Sequence, residues 1–264
     1  VQFKDYKTLR FDYEGRILRV TIDRAERMNV VNQDLHEDLA RVFVDLNRDP
    51  DSDIIILTGA GRAFCAGGDL TWLQGMKGDP AAIRAIALDG KLIVTSLLEL
   101  EKPIICRLNG AAAGLGATVA LLCDIIIAAD DAVIGDPHVR VGVVAGDGGA
   151  VIWPQLCGYA KAKEYLLTGD MVTAQEAERI GLINHVVPAA ELDAKVDGMA
   201  RKLAGGARHA IRWTKTVTNI PLREMAAKVM DASLAYELLT FATEDHQEAV
   251  SAFRERRKPE FTGR

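Results

Sequence analysis

The stretch that decides the fold is Pro103-Ile104-Ile105-Cys106-Arg107-Leu108-Asn109-Gly110-Ala111-Ala112-Ala113-Gly114-Leu115-Gly116-Ala117-Thr118-Val119-Ala120-Leu121-Leu122-Cys123-Asp124-Ile125-Ile126-Ile127-Ala128. Its part from Ala111 to Ala129 nearly has the length of a membrane span, but Asp124 interrupts it and glycines loosen its first half. It reads as a strand (Pro103 to Leu108), a glycine-rich turn, a buried helix (Gly114 to Cys123) and a further buried strand (Ile125 to Ala128). Strands that are apolar without alternation are covered on both faces, as in a parallel sheet clothed by helices. Ile54 to Thr58, closed by Gly59, repeats the pattern. The fold class is α/β.

Upstream, Leu18, Val20 and Ile22 alternate with polar neighbours after the turn Asp12-Tyr13-Glu14-Gly15, which predicts an opening hairpin with one buried face. Leu35, Leu39, Val42, Phe43 and Leu46 form one helical stripe behind Asn32, a natural N-cap. Downstream, Val133-Ile134 is a short strand, Thr173-Ala174-Gln175-Glu176 has the form of a capping box, and Leu182 to Val187 returns as a strand. From Glu191 the pattern is helical almost to the end, with Pro221 opening one helix and Thr243 capping the last. The expected organisation is a core over residues 1–190 and a helical region over 191–264.

The net charge of −5 and the lack of a basic stripe interleaved with aromatics argue against nucleic acid, and no leader or membrane span is legible, so the expectation is a cytoplasmic protein with a small-molecule partner. Cys65, Cys106, Cys123 and Cys157 lie too far apart for a zinc or redox pair and read as reduced core thiols; no metal site is expected.

Chemistry concentrates in Asp136-Pro137-His138-Val139-Arg140-Val141-Gly142-Val143-Val144-Ala145-Gly146-Asp147-Gly148-Gly149, where an imidazole and a carboxylate share a turn-rich segment. His138 and Asp147 are the candidate acid and base. Gly67 and Gly68 follow one strand, and the helix expected near Leu115 begins after Gly114. Both could aim backbone N–H groups at a developing oxyanion. A neutral His138 would accept water's proton, so the rate should fall as pH drops through roughly 6 to 7. His36, His185, His209 and His246 are read as surface or satisfied core residues. Thr71 to Leu100 is expected to wall the site.

Phe64-Cys65-Ala66-Gly67-Gly68-Asp69-Leu70, Asn109 to Gly114, Cys123-Asp124, Leu167-Thr168-Gly169, Ala174 to Gly181 and Glu244 to Phe261 together resemble the enoyl-CoA hydratase/isomerase family, the crotonase superfamily, over nearly the whole chain. The resemblance implies a spiral of ββα units with a C-terminal helical region over 191–264 that forms a homotrimer or a dimer of trimers. It also implies a thioester carbonyl held by the N–H groups of Gly68 and Leu115, and no cofactor beyond coenzyme A as part of the substrate. Arg27, Ala66, Gly67, Asp69, Leu70, Gly114, Lys258 and Phe261 are the implied substrate and CoA contacts. The family's glutamate pair is missing: Thr118 and His138 stand at those positions, so His138 and Asp147 are the implied replacement. Pro137-His138, Gly146-Asp147-Gly148 and Trp153-Pro154 are locally similar to 6-oxocamphor hydrolase-type β-diketone hydrolases. That likeness implies retro-Claisen carbon–carbon hydrolysis as an alternative to hydration or isomerisation. A catalytically silent acyl-CoA-binding or RNA-binding member is the further alternative.

Overall fold

The computed structural model describes residues 3–69, 71–72 and 79–264. The strands form two sheets. A six-stranded sheet has the order β1(Leu9–Glu14)-β2(Ile17–Ile22)-β3(Ile54–Gly59)-β5(Ile104–Leu108)-β7(Ile125–Ala129)-β10(His185–Val187), and a four-stranded sheet has β4(Ala63–Cys65)-β6(Ala111–Ala113)-β8(Val133–Gly135)-β9(Val172–Thr173). Between β3 and β8 the chain alternates sheets at every strand, which is the spiral. Each turn therefore leaves a strand in both layers.

Local signals account for most elements. Asn32 Oδ1 accepts from Leu35 N at 3.1 Å, and Leu35, Leu39, Val42, Phe43 and Leu46 of the helix Gln33–Arg48 are buried. Every residue of β3 is buried, as its unbroken apolar run requires. The hairpin expectation needs a correction, because Ile17 and Thr21 of β2 are buried along with Leu18, Val20 and Ile22. β2 pairs antiparallel with β1 and parallel with β3, so it is an interior strand, and helices cover what alternation had suggested was a wet face. The strand expected over Leu182 to Val187 contracts to His185–Val187, paired with β7. Thr173 Oγ1 accepts from Glu176 N at 3.3 Å, while the Glu176 carboxylate turns to Arg179, so only half of the capping box forms.

The helix Leu192–Ala204 buries Leu192, Val196 and Ala200 against the core, and Pro221 and Thr243 stand at the starts of Ile220–Thr240 and Glu244–Glu255. Among the described residues no helix is long and apolar enough to cross a membrane.

Candidate active site

The parallel run of β4, β6 and β8 positions the site. Because these strands are neighbours in register, Ala63 with Ala111 and Ala112 with Ile134, the loops leaving their C-terminal ends stack side by side. Those loops carry Ala66 to Asp69, Gly114 and Asp136 to Val141. They meet over a cavity of about 630 Å³. Its mouth and floor include Arg27, Ala66, Gly67, Gly68, Asp69, Gly114, Leu115, His138 and Asp147, and its walls include Trp72, Ile86, Gly90, Leu234, Leu238 and Phe241. Thr71, Trp72 and the helix Pro80–Glu99 thus supply wall residues from the expected stretch Thr71 to Leu100, of which 73–78 lie outside the described residues.

The Ala66 to Asp69 loop is strapped to Val31, which donates to Gly67 O at 2.8 Å and accepts from Asp69 N at 2.9 Å. That bridge uses Gly67 O and Asp69 N–H and leaves Gly68 N–H without a partner among the described residues. Leu115 N–H, first in its helix, has none either, while Gly114 N–H is bound to Gly135 O at 3.1 Å. Gly114 has φ +53, and a Cβ there would lie 3.2 Å from His138 Cε1. A side chain would be strained in that backbone conformation and would displace the imidazole.

His138 occupies the short helical turn Pro137–Val141, whose N-cap is Asp136. Its Nδ1 is hydrogen-bonded to Asp136 Oδ1, and its Nε2 lies 3.4 Å from Asp147 Oδ2. The other Asp147 oxygen accepts from Thr118 Oγ1 at 3.2 Å. Asp136 is fully buried, and its Oδ2 has no hydrogen-bond partner among the described residues. Glu237, from the helix Ile220–Thr240, also lines the cavity; its Oε2 lies against Gly146 and is likewise without a partner.

These environments reassign the protons. Burial alone would push the His138 imidazole down, but Asp136 and Asp147 outweigh it and hold the group well above its ordinary range. The two carboxylates favour the protonated imidazole, the opposite tendency to the neutral base expected from the sequence. Burial raises the Asp147 carboxyl despite the opposing His138 charge. Glu237 is pushed up to about 8, first by burial and then by the Asp147 charge, so it is a neutral acid at neutral pH. Asp136, His138 and Asp147 offer atoms within 4.8 Å of one another, a grouping that could hold a cation. Both imidazole nitrogens already face carboxylate oxygens, which makes the cluster a proton-sharing array.

Of the other residues singled out in the sequence, Asp69 Oδ1 also caps a turn by accepting from Thr71 N and Trp72 N at 2.9 and 3.3 Å. Leu70 lies outside the described residues. Lys258 and Phe261 sit on the exposed C-terminal segment, away from the cavity lining of this chain. The sequence reading missed Asp136, Glu237 and His36. His36 lines the cavity, with its ring 5.5 Å from that of Trp72 and its Nδ1 3.9 Å from Asp89 Oδ2. Asp136 was legible as the carboxylate two residues before a Pro-flanked histidine. Glu237 was legible as an acid inside the apolar stripe of Met230, Leu234, Leu238 and Phe241. His246 Nδ1 donates to Val141 O at 2.7 Å and so braces the His138 turn.

The sequence pattern of the Enoyl-CoA hydratase/isomerase family matches residues 12–264. This chain belongs to that family. Its relatives include a crotonyl-CoA hydratase of Syntrophomonas wolfei, 33% identical over 97% of this chain and 98% of that protein. A 1,2-epoxyphenylacetyl-CoA isomerase of Escherichia coli is 34% identical over 95% of this chain and 97% of that one. Among solved structures, an enoyl-CoA hydratase/isomerase from Mycobacterium paratuberculosis superposes with a TM-score of 0.90 at 37% identity, covering 94% and 99% of the two chains. The protein is thus a crotonase-superfamily enzyme with the spiral α/β fold of the enoyl-CoA hydratase/isomerase family. Its relatives differ in reaction, so membership alone does not define the chemistry.

Proposed function

We propose that this enoyl-CoA hydratase/isomerase family member acts on an acyl-CoA thioester through an enolate, with His138 and Asp147 in place of the usual glutamate pair. The observation that carries the reading is the contact chain from Thr118 Oγ1 to Asp147 to His138 Nε2 at the cavity floor. Thr118 stands where the family has a glutamate. Its hydroxyl steadies a carboxylate delivered from the loop ahead of the helix Gly149–Thr168, so a base still reaches that space.

In hydration, Asp147 takes a proton from water as the water oxygen bonds to Cβ of the enoyl thioester. The double-bond electrons move to the thioester oxygen, where the free N–H groups of Gly68 and Leu115 receive the negative charge. The enolate then takes the Nε2 proton of His138 onto Cα. Asp147 is left protonated and His138 neutral, and transfer across the 3.4 Å gap restores the starting state. Removal and return of a proton by the same pair would move a double bond. Arg27, Ala66, Gly67, Asp69 and Gly114 line the route for the CoA arm, and the apolar wall takes the acyl chain. Exposed Trp213, Val217, Tyr236 and Leu239 on the C-terminal helices support association of residues 191–264 with further copies.

Deuterium incorporation at Cα of acyl-CoA thioesters in heavy water tests the reading, because it detects the enolate whatever reaction follows. Exchange that requires the thioester is the expected result. No exchange with any thioester, together with cleavage of CoA-free β-diketones, would replace this reading with carbon–carbon hydrolysis.

A further inference from the structure

We infer that Asp136 is a positioning residue that commits His138 Nδ1 to a fixed hydrogen bond and leaves Nε2 as the only nitrogen that exchanges protons with the cavity. The inference deepens the proposed role of His138 and rests on it for its catalytic consequence. Its geometric part stands alone.

The local chain builds the contact. β8 ends at Gly135, Pro137 opens the next turn, and that turn brings the side chains of Asp136 and His138 onto the same side, two residues apart. Asp136 is fully buried, and its Oδ2 points at the first turn of the helix Gly149–Thr168, where a Cβ on Gly149 would lie 2.0 Å from it. Only glycine leaves that space. The positive end of the helix dipole favours a carboxylate there even though no direct hydrogen bond forms. Asp136 Oδ1 takes the His138 backbone N–H at 3.5 Å as the N-cap of the turn, and the His138 imidazole is its other donor. A carboxylate so placed cannot approach substrate, because His138 stands between it and the cavity.

Groups on several elements face the imidazole: Asp136 from its own turn, Asp147 from the following loop and Glu237 from the helix Ile220–Thr240. His36, on the helix Gln33–Arg48, acts on Asp147. Of these, only Asp136 touches Nδ1, so only Asp136 can select which nitrogen stays bonded. Asp147 faces the exchanging nitrogen. The neutral acid Glu237 carries no charge that would compete at neutral pH.

The test is a nitrogen NMR titration of histidine-labelled protein, with His138→Gln used to assign the resonance. In the wild type His138 should carry protons on both nitrogens through neutral pH, and its Nδ1 proton should be strongly deshielded and slow to exchange. Asp136→Asn should lower its titration point by about one to three pH units and abolish the deshielded signal, as expected when an adjacent opposite charge is removed. The alkaline limb of the pH–rate profile should move down with it, with kcat falling and KM nearly unchanged. If the resonance shifts while the rate profile does not, Asp136 still positions His138 and the acid role of His138 is what fails. An unchanged titration in Asp136→Asn would overturn the inference. Should that variant not fold, a wild-type His138 that titrates in the ordinary imidazole range with no protected Nδ1 proton overturns it equally.

Discussion

Two polar arrays lie near opposite ends of the helix Leu115–Leu121, and they differ in how completely they are satisfied. At the far end, Asp124 Oδ2 accepts from Ile104 N at 2.7 Å and pairs with Lys215 Nζ at 2.8 Å, and that ammonium also donates to Lys102 O at 2.9 Å. Lys102 in turn donates to Ser52 Oγ at 3.0 Å and to Asp49 O, while Asp49 Oδ2 takes Ser52 N at 3.0 Å. Nearly every group there has a partner, with Arg212 Nε at the margin the exception. On the cavity side, Asp136 Oδ2 and Glu237 Oε2 have none among the described residues. Both arrays mix buried and half-buried groups. The first joins the helix Arg208–Thr218 to the core, and its charges are settled by fixed donors. In the second, several acids share too few partners, which favours their protonated forms.

The sharpest way to break this comparison is His138→Ala. It should reduce kcat by about two to four orders of magnitude with CoA affinity nearly unchanged, and cost about 1–3 kcal/mol of stability because the buried Asp136 loses its imidazole partner. Steady-state kinetics beside a thermal melt checks both halves. A large loss of stability with little loss of turnover would put His138 in the structural class with Asp124.

Asp124→Ala should do the opposite. Removing one partner leaves the Lys215 ammonium inside the protein with only a carbonyl, at a cost of about 3 kcal/mol in urea unfolding. Turnover per folded molecule should stay near wild type. A destabilisation within experimental error would mean that the satisfied array holds nothing together.

The smallest effect is also the most diagnostic in sign. Glu237 has a folded-state pKa of about 8, above its unfolded value. The folded state therefore binds more protons between the two values, and stability from this group falls as pH rises through about 8. Glu237→Gln mimics the neutral acid. It should match the wild type near pH 5 and exceed it above pH 8 by about 2 kcal/mol, less than full linkage because the cavity admits water. Equal pH dependence of the two proteins would remove Glu237 from the proton-sharing array.

Much of the scaffold was readable before any contact was known. Ile54 to Thr58 and Ile125 to Ala128 announced buried strands because an unbroken apolar run has no wet face to offer. Asn32, Thr173 and Thr243 announced helix starts because their side chains replace missing backbone acceptors. β2 misled because alternation reports side-chain chemistry, whereas burial of Ile17 and Thr21 depends on which strand and helix arrive later. Of the short second-sheet strands only Val133-Ile134 was legible, since runs of two or three residues cannot show a period.

The sequence by itself determined the α/β class, the family and the loop that carries His138 and Asp147, because these depend on local pattern and residue type. It also held Asp136 and Glu237 in plain view without revealing them. Only the tertiary structure decided that Asp136, Asp147 and Glu237 surround one imidazole, with Thr118 behind Asp147, from positions spread between 118 and 237, and that His36 faces the same cavity. Protonation followed from that meeting. A side chain's charge is set by how much water it loses and which charges approach it, and the sequence encodes neither quantity at a single position.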